Sequence, residues 1–156
     1  MATGTLKVPK IKGESRLKGH EDEIDIDAVS FGVVQHATRA KGGGHTGAHA
    51  SFGDLVCSKT YDAASPYLAL ACMNAQAFDE VVFTARKDSG EEHLDYLIIT
   101  LTDCILTSYN ASGGFDSFTE SFSISFKNIG IKYTVQKDDQ TGGDEHEVEY
   151  NLMELA

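Results

Sequence analysis

FTESFSISFKNIGIKYTV, residues 118–135, carries the clearest structural signal in the chain. Apolar and small hydroxyl side chains alternate through its first half, and after Asn128 the apolar positions change parity. A period of two places successive side chains on opposite faces of a strand. We therefore predict one long strand, bent near Asn128, that serves both sheets of a barrel or sandwich. One face would carry Phe118, Phe122, Ile124 and Phe126, and the other Thr119, Ser121, Ser123 and Ser125.

The same alternation on either side of this segment predicts a mainly β chain. Residues 24–33 change phase once, which predicts one long strand with a bulge or sharp bend. Residues 78–86 and 92–107 flank the turn-forming sequence Lys87-Asp88-Ser89-Gly90 and predict a hairpin. A last strand is predicted around residues 148–152.

One α-helix is predicted at residues 67–73. Ser65 suits the N-cap and Pro66 suits the first helical position. The other proline, Pro9, cannot donate a ladder hydrogen bond, so the first strand must lie at an edge or break there. Residues 1–156 then form a single domain, a two-sheet β-barrel or sandwich with one flanking helix.

Two glycine-rich segments, His36–Ala50 and Asn110–Asp116, interrupt the strand pattern. The first is long for an ordinary connection, and long loops are usually functional or disordered. Neither segment has the lysine or the strand-to-helix context of a phosphate-binding loop. No nucleotide cofactor is therefore predicted.

The charge balance excludes some partners. The chain has 24 acidic against 13 basic residues, a formal net charge of -11, which repels nucleic acid phosphates.

The longest apolar run, Tyr67 to Met73, is far shorter than a membrane-spanning helix, and residues 1–5 lead into polar sequence without the apolar core of a signal peptide. Cys57, Cys72 and Cys104 are predicted to be reduced thiols of a cytosolic protein, buried among apolar neighbours.

Three carboxylates, Glu23, Asp25 and Asp27, would share one face of a strand. They could hold a cation or act as an acid–base pair. The segment lacks the central glycine and the distal glutamate of a calcium loop. The solvated face of a strand is therefore the preferred interpretation.

His36, His45 and His49 are candidate metal ligands. The spacing of His45 and His49 brings them together only on a helix, and here the intervening residues are glycine and alanine of a loop. The sequence also lacks a Gly-x-Ser-x-Gly nucleophile elbow. No catalytic residue, cofactor or metal is predicted.

An ordered set of short motifs resembles the haemolysin co-regulated protein (Hcp) family over about residues 11–150. The motifs are Ile11-Lys12-Gly13-Glu14-Ser15, His20, Glu23-Ile24-Asp25, Ala28-Val29-Ser30-Phe31-Gly32-Val33-Val34-Gln35, the first glycine-rich segment, Phe52 with Asp54, Lys59-Thr60-Tyr61-Asp62-Ala63-Ala64-Ser65-Pro66, Leu70-Ala71-Cys72, Arg86-Lys87, Glu92 with Tyr96-Leu97-Ile98-Ile99, Ser112-Gly113-Gly114 and Thr119-Glu120-Ser121. Val29 and Phe31 replace the tryptophans of the family pattern.

The resemblance implies a non-enzymatic tube subunit of a bacterial type VI secretion system, with a fold like that of phage tail-tube proteins. Such subunits form homo-hexameric rings that stack into a tube inside a contractile sheath, tipped by a spike protein of the valine-glycine repeat family. They carry effectors in the ring lumen. They leave the cytoplasm without a signal peptide and do not insert into membranes.

The resemblance also assigns roles to particular residues. Ser30 is expected to face the lumen and the cargo. The loop from about Gln35 to Ala50 is expected to contact a neighbouring ring or subunit, and Gly113 with Gly114 forms a second contact turn. The residues assigned to the first contact are Gly42, Gly43, Gly44, His45 and Gly47.

Two alternatives remain open, a monomeric ligand-binding β-domain and a metal-dependent hydrolase that uses Glu23, Asp25 and the histidines. If six copies assemble, the ring carries 66 formal negative charges, six times -11. The acids of Glu21–Asp27 and Asp138–Glu149 are therefore expected on exposed ring surfaces, away from subunit contacts.

Overall fold

The structure is a computed structural model and describes residues 2–36, 38–39, 45–46, 50–89, 92–137 and 142–152. Within these ranges, one helix, α1 (Ser65–Met73), is found. The strands in chain order are β1 (Ala2–Lys7), β2 (Ile24–Ile26), β3 (Ala28–Ser30), β4 (Val33–Gln35), β5 (Thr38–Arg39), β6 (His45–Thr46), β7 (Ala50–Phe52), β8 (Leu55–Thr60), β9 (Ala77–Ser89), β10 (Glu92–Gly113), β11 (Phe118–Ser125), β12 (Asn128–Gln136) and β13 (Gly142–Asn151).

The main sheet has the order β2-β1-β9-β10-β11-β8-β3, and β12 and β13 branch from β10. β10 pairs with β12 from Leu97 to Thr102 and with β11 from Ile105 to Gly113, so both layers of the sandwich share this strand. The change of partner occurs beside Asp103, whose φ of 54° is left-handed. Aspartate is one of the few residues that visit this region. The mainly β sandwich with one helix is therefore confirmed, although its hydrogen-bonded ladder does not close into a barrel.

The segment 118–135 forms two strands rather than the single strand predicted. β11 and β12 are separated at Phe126 and Lys127, and the Lys127 amide donates a 3.0 Å hydrogen bond to the Thr102 carbonyl. Both strands pair antiparallel with β10, and the register does not shift across the break. Ser125 pairs with Ile105 before it, and Asn128 pairs with Thr102 after it. The predicted bend is therefore present, but it interrupts the strand.

Residues 24–35 form three short strands instead of the long strand predicted. β2 pairs with β1 and β3 pairs with β8, which lie near opposite ends of the sheet order. Asp27 lies at the bend between them and donates its amide to the Ser58 carbonyl at 2.8 Å. Each piece pairs with a different strand because the segment crosses from one layer to the other.

The predicted loop at His36–Ala50 is partly strand. β4 pairs with β7, and β5 pairs with β6, so two antiparallel pairs connect β3 to β8. We call β4, β5, β6 and β7 together the extended hairpin. The hairpin of β9 and β10 is confirmed, but Lys87, Asp88 and Ser89 of the predicted turn belong to the paired strand, which extends to the pair Ser89–Glu92. β13 and the end of β1 before Pro9 are confirmed as well.

The core lies between the layers and under α1. Leu55, Leu101, Phe122 and Ile124 are fully or almost fully buried, and Leu68 of α1 joins them. The burial of such side chains is the main favourable contribution to folding. Among the described residues, no helix is long and apolar enough to cross a membrane.

The start of α1 differs from the prediction. Ala64, and not Ser65, is the N-cap, and no side chain caps the helix there. Ser65 is the first helical residue, and Pro66 lies in the first turn, where its missing amide hydrogen costs nothing. The Ser65 hydroxyl is used in a buried polar cluster instead.

Candidate functional site

Three cross-strand rows of mostly small polar side chains, with Val56 and Ala28 as the apolar exceptions, cover the outer side of β3, β8, β11 and β10. Residues between them in sequence, such as Cys57 and Phe122, are buried, so the rows face away from the core. We call this surface the hydroxyl face. Its rows are Ser30-Val56-Ser123-Ser108, Ala28-Ser58-Ser121-Asn110 and Thr60-Thr119-Ser112.

The hydroxyl face carries no ionisable side chain in its three rows, although the chain has a net charge of -11. Ser30 is exposed in the first row, where β3 forms one end of the sheet. Ser123 Oγ lies 2.6 Å from Ser108 Oγ and 2.7 Å from Thr107 Oγ1, so neighbouring hydroxyls bond to one another. The face is therefore mainly polar and carries no charge in its rows.

Carboxylates occur at the margin of this face. The Thr107 hydroxyl donates to Asp54 Oδ2 at 2.6 Å, and the Thr60 hydroxyl donates to Asp27 Oδ2 at 3.2 Å. The acidic groups thus border the neutral surface instead of interrupting it.

A buried polar cluster supports the hydroxyl face from beneath. The Lys59 ammonium is fully buried and donates to Asp62 Oδ1 at 2.8 Å, to Ser65 Oγ at 3.0 Å and to Glu120 Oε1. An ammonium has three donor hydrogens, and each has a partner. The cluster therefore contains a fully hydrogen-bonded charge, the condition under which a buried charge is tolerated.

Glu120 and Ser65 complete the cluster. Ser65 donates to Glu120 Oε1 at 2.7 Å, and the Tyr109 hydroxyl donates to Glu120 Oε2. Burial and the bond to Glu120 raise the pKa of Tyr109, so its hydroxyl stays protonated. The cluster joins β8, β10, β11 and the start of α1.

The sequence analysis did not predict this cluster, although the sequence contains a signal for it. Lys59 has the same parity as Leu55 and Cys57, which are buried. Glu120 has the same parity as Phe122 and Ile124. A charged residue at an apolar position on each of two strands predicts a buried ion pair.

The structure does not bring the predicted carboxylates together. Glu23 precedes β2 and bonds to His20, while Asp25 and Asp27 are exposed. His36 is exposed, the His45 side chain is not described, and His49 lies outside the described residues. In the part of the chain that the structure describes, no group of three His, Cys, Asp or Glu residues could hold a metal.

The first predicted contact segment is described only in part. Gly42, Gly43, Gly44 and Gly47 lie outside the described residues, whereas His45 belongs to β6. At the base of the extended hairpin, Val33 and Val34 are more than half exposed, at 53% and 59%.

The second contact segment is shorter than predicted, because β10 continues through Asn110 to Gly113. Gly113 has φ 156°, and a Cβ there would lie 2.2 Å from the Ser117 carbonyl oxygen. Only glycine fits this approach. Near it, the side chain of Phe115 is fully exposed, which the sequence pattern does not predict.

The cysteines form no disulfide among themselves. Burial raises the pKa of Cys57 to about 12 and that of Cys104 to about 12. Thiols of this kind are inert at neutral pH. The prediction of buried thiols is confirmed for these two, while Cys72 is half-buried.

Solved structures with this fold include a type six secretion system protein and an Hcp protein. One described as a type six secretion system protein has a TM-score of 0.90 at 22% identity, over 100% of this chain and 99% of that chain. Hcp1 from Salmonella typhimurium has a TM-score of 0.81 at 25% identity, over 99% and 97%. The fold is therefore that of an Hcp protein.

The family follows from the sequence comparisons. The model described as Type VI secretion system effector, Hcp, matches residues 5–133. Protein hcp1 of Pseudomonas aeruginosa is 35% identical over 136 residues, which is 86% of this chain and 84% of that protein. The chain belongs to the Hcp family and is a type VI secretion tube protein. The resemblance drawn from the motifs is thereby confirmed.

Proposed function

We propose that six copies of this chain close into a ring, that rings stack into the inner tube, and that the hydroxyl face lines the lumen. A neutral surface on a strongly acidic chain suits a conduit through which other proteins pass. Charged walls would bind oppositely charged cargo and repel cargo of like charge. The uncharged three-row face is the observation that carries this proposal.

Exposed apolar side chains support the assembly part of the proposal. Phe115 at the second contact turn and Val33 with Val34 on the extended hairpin are all exposed. These side chains lie at the two proposed contact segments, where burial against a neighbouring subunit would remove their apolar surface from water. A head-to-tail contact that closes by rotation forms a ring, and one that does not close propagates along an axis.

Ser30 is proposed as a lumen residue that contacts secreted effectors. It is exposed in the first row of the hydroxyl face. The chain acts as a carrier and structural subunit rather than an enzyme. It is made in the cytoplasm and expelled when the contractile sheath shortens, and the tube is tipped by a spike protein of the valine-glycine repeat family.

The acidic segments agree with this arrangement. Glu21, Asp22, Asp25 and Asp27 are exposed, and so are the acids of β13, whereas Glu23 is half-buried and Asp138 and Asp139 lie outside the described residues. We place them on ring surfaces away from subunit contacts, where salt screens their repulsion.

Negative-stain images of the purified protein test the proposal. Rings with sixfold symmetry and an open centre are the expected result. Single particles of one chain's size, at high protein concentration, would favour the monomeric ligand-binding alternative.

A further inference from the structure

The segment of residues 12–23, which we call the N-terminal loop, is held in a compact turn by its own backbone. Gly13 donates its amide to the Asp22 carbonyl at 2.8 Å, and Ser15 donates to the Glu23 carbonyl at 3.0 Å. The Asp22 amide returns a 3.0 Å bond to the Ser15 carbonyl. These bonds shape the loop internally, but they do not attach it to the sheet.

The imidazole of His20 attaches the loop to the β9–β10 hairpin. Its Nδ1 lies 2.8 Å from Glu23 Oε2, and its Nε2 lies 2.9 Å from Asp95 Oδ2 of β10. An ionised carboxylate only accepts hydrogen bonds, and a neutral imidazole has only one N–H. Both bonds form together only when the ring is an imidazolium.

The charged groups that face His20 come from three elements. Glu21 and Glu23 lie on its own loop, Asp95 lies on β10, and Arg86 on β9 donates from Nε to Asp95 Oδ1 at 2.8 Å. Two cations and three carboxylates therefore meet there. Losing the proton from His20 leaves Arg86 as the one cation among these five groups.

The direction of the pKa shift agrees with this geometry. Burial opposes the charge on His20, but the bonds to Asp95 and Glu23 outweigh it, and the pKa of the imidazole is raised. Burial likewise opposes the charge on Asp95, and its bonds to Arg86 and His20 outweigh this and lower the pKa of that carboxyl. The charged imidazolium of His20 therefore stabilises the Asp95 carboxylate, and the carboxylate stabilises the imidazolium.

We propose that His20 is a protonation latch, which as an imidazolium holds the N-terminal loop on the β9–β10 hairpin and which opens the loop when it loses its proton. In the neutral ring, one nitrogen presents a lone pair to a carboxylate, and that contact becomes repulsive. Because the folded-state pKa is raised, the stabilisation is complete below the ordinary histidine value of about 6.5 and is lost as the pH rises through the folded value. The latch does not depend on ring assembly.

Limited trypsin digestion of the full chain tests the latch, because Arg16 and Lys18 are exposed on the loop. Rates are normalised at each pH to an unstructured peptide of the same loop sequence. Between pH 6 and pH 9 we expect the normalised cleavage to rise by about fivefold or more, the change that roughly 1 kcal/mol produces.

The matched variants are His20→Gln and His146→Gln. His20→Gln should be cut faster at pH 6 and show no rise with pH, whereas His146→Gln, altered on exposed β13, should behave as the wild type. A pH-independent wild type, or a His20→Gln variant that keeps the rise, would overturn the proposal.

A second measurement needs no substitution. The NMR titration of the His20 ring protons in the wild-type protein should have a midpoint above about 6.5. Loop amides such as that of Ser15 should shift with the same midpoint. A midpoint at or below that value, or loop amides that do not follow it, would contradict the latch.

Discussion

Lys59 and Glu120 form a fully buried ion pair directly beneath the hydroxyl face. The two residues lie opposite each other on β8 and β11, in the register Glu120–Lys59. Their outward neighbours, Thr60 and Thr119, form a row of the face. The pair therefore fixes the two strands that carry the centre of the proposed lumen wall.

Lys59→Met should lower the free energy of unfolding by about 3–5 kcal/mol, because it leaves Glu120 and Asp62 as uncompensated carboxylates. Denaturant titration of the isolated chain measures this. The control is Lys132→Met, which removes an exposed ion pair with Glu145 of 3.3 Å and should cost less than about 1 kcal/mol. If the two variants lowered the free energy of unfolding equally, the buried ion pair would be no more important for stability than the surface pair.

Replacing Ser30 by tryptophan should reduce effector retention while rings still form, since the change adds bulk to an exposed position of the proposed lumen wall. Co-purification with a co-expressed effector of the same secretion system is the readout. Gln76→Trp, at an exposed position outside the hydroxyl face, is the control. Unchanged retention by the Ser30 variant would remove this residue from the cargo surface.

Phe115→Ser should weaken ring formation without unfolding the chain, because the side chain is fully exposed and supports no core packing. Light scattering should report a lower mass while the thermal midpoint changes little. Val148→Ser removes an exposed apolar side chain from acidic β13 and should leave the mass unchanged. Rings that persist at low concentration in the Phe115 variant would place the contact elsewhere.

Thiol labelling of the native protein at pH 8 should modify Cys72 first. Cys57 and Cys104 have pKa values of about 12, so roughly one molecule in 10,000 carries the reactive thiolate at that pH. Mass spectrometry of the labelled peptides distinguishes the three sites. In guanidinium all three should react, and rapid native labelling of Cys57 would contradict its burial.

Much of the fold could be predicted because alternation reports the face of a strand directly. The apolar face of Phe122 and Ile124, the β9–β10 hairpin and the helix after Ser65 all follow from local patterns. The hydroxyl-bearing side of β11, which belongs to the proposed lumen wall, was predicted from the same alternation.

Partners across the sheet could not be predicted, because they depend on distant residues. Nothing near Asp27 indicates that β2 pairs with β1 while β3 pairs with β8. Likewise, the capping role predicted for Ser65 was wrong, because a buried lysine and glutamate from other strands use its hydroxyl. The cross-strand rows of the hydroxyl face could be identified only from the register in which the strands pair.

The mass of the purified wild-type particle tests the central claim most directly. Light scattering or native mass spectrometry should give about six times the chain mass of 16.9 kDa. The proposed lumen, the contact turns and the placement of the charges all require a hexamer. A strict monomer across the accessible concentration range would contradict the ring, and the hydroxyl face would then line no lumen.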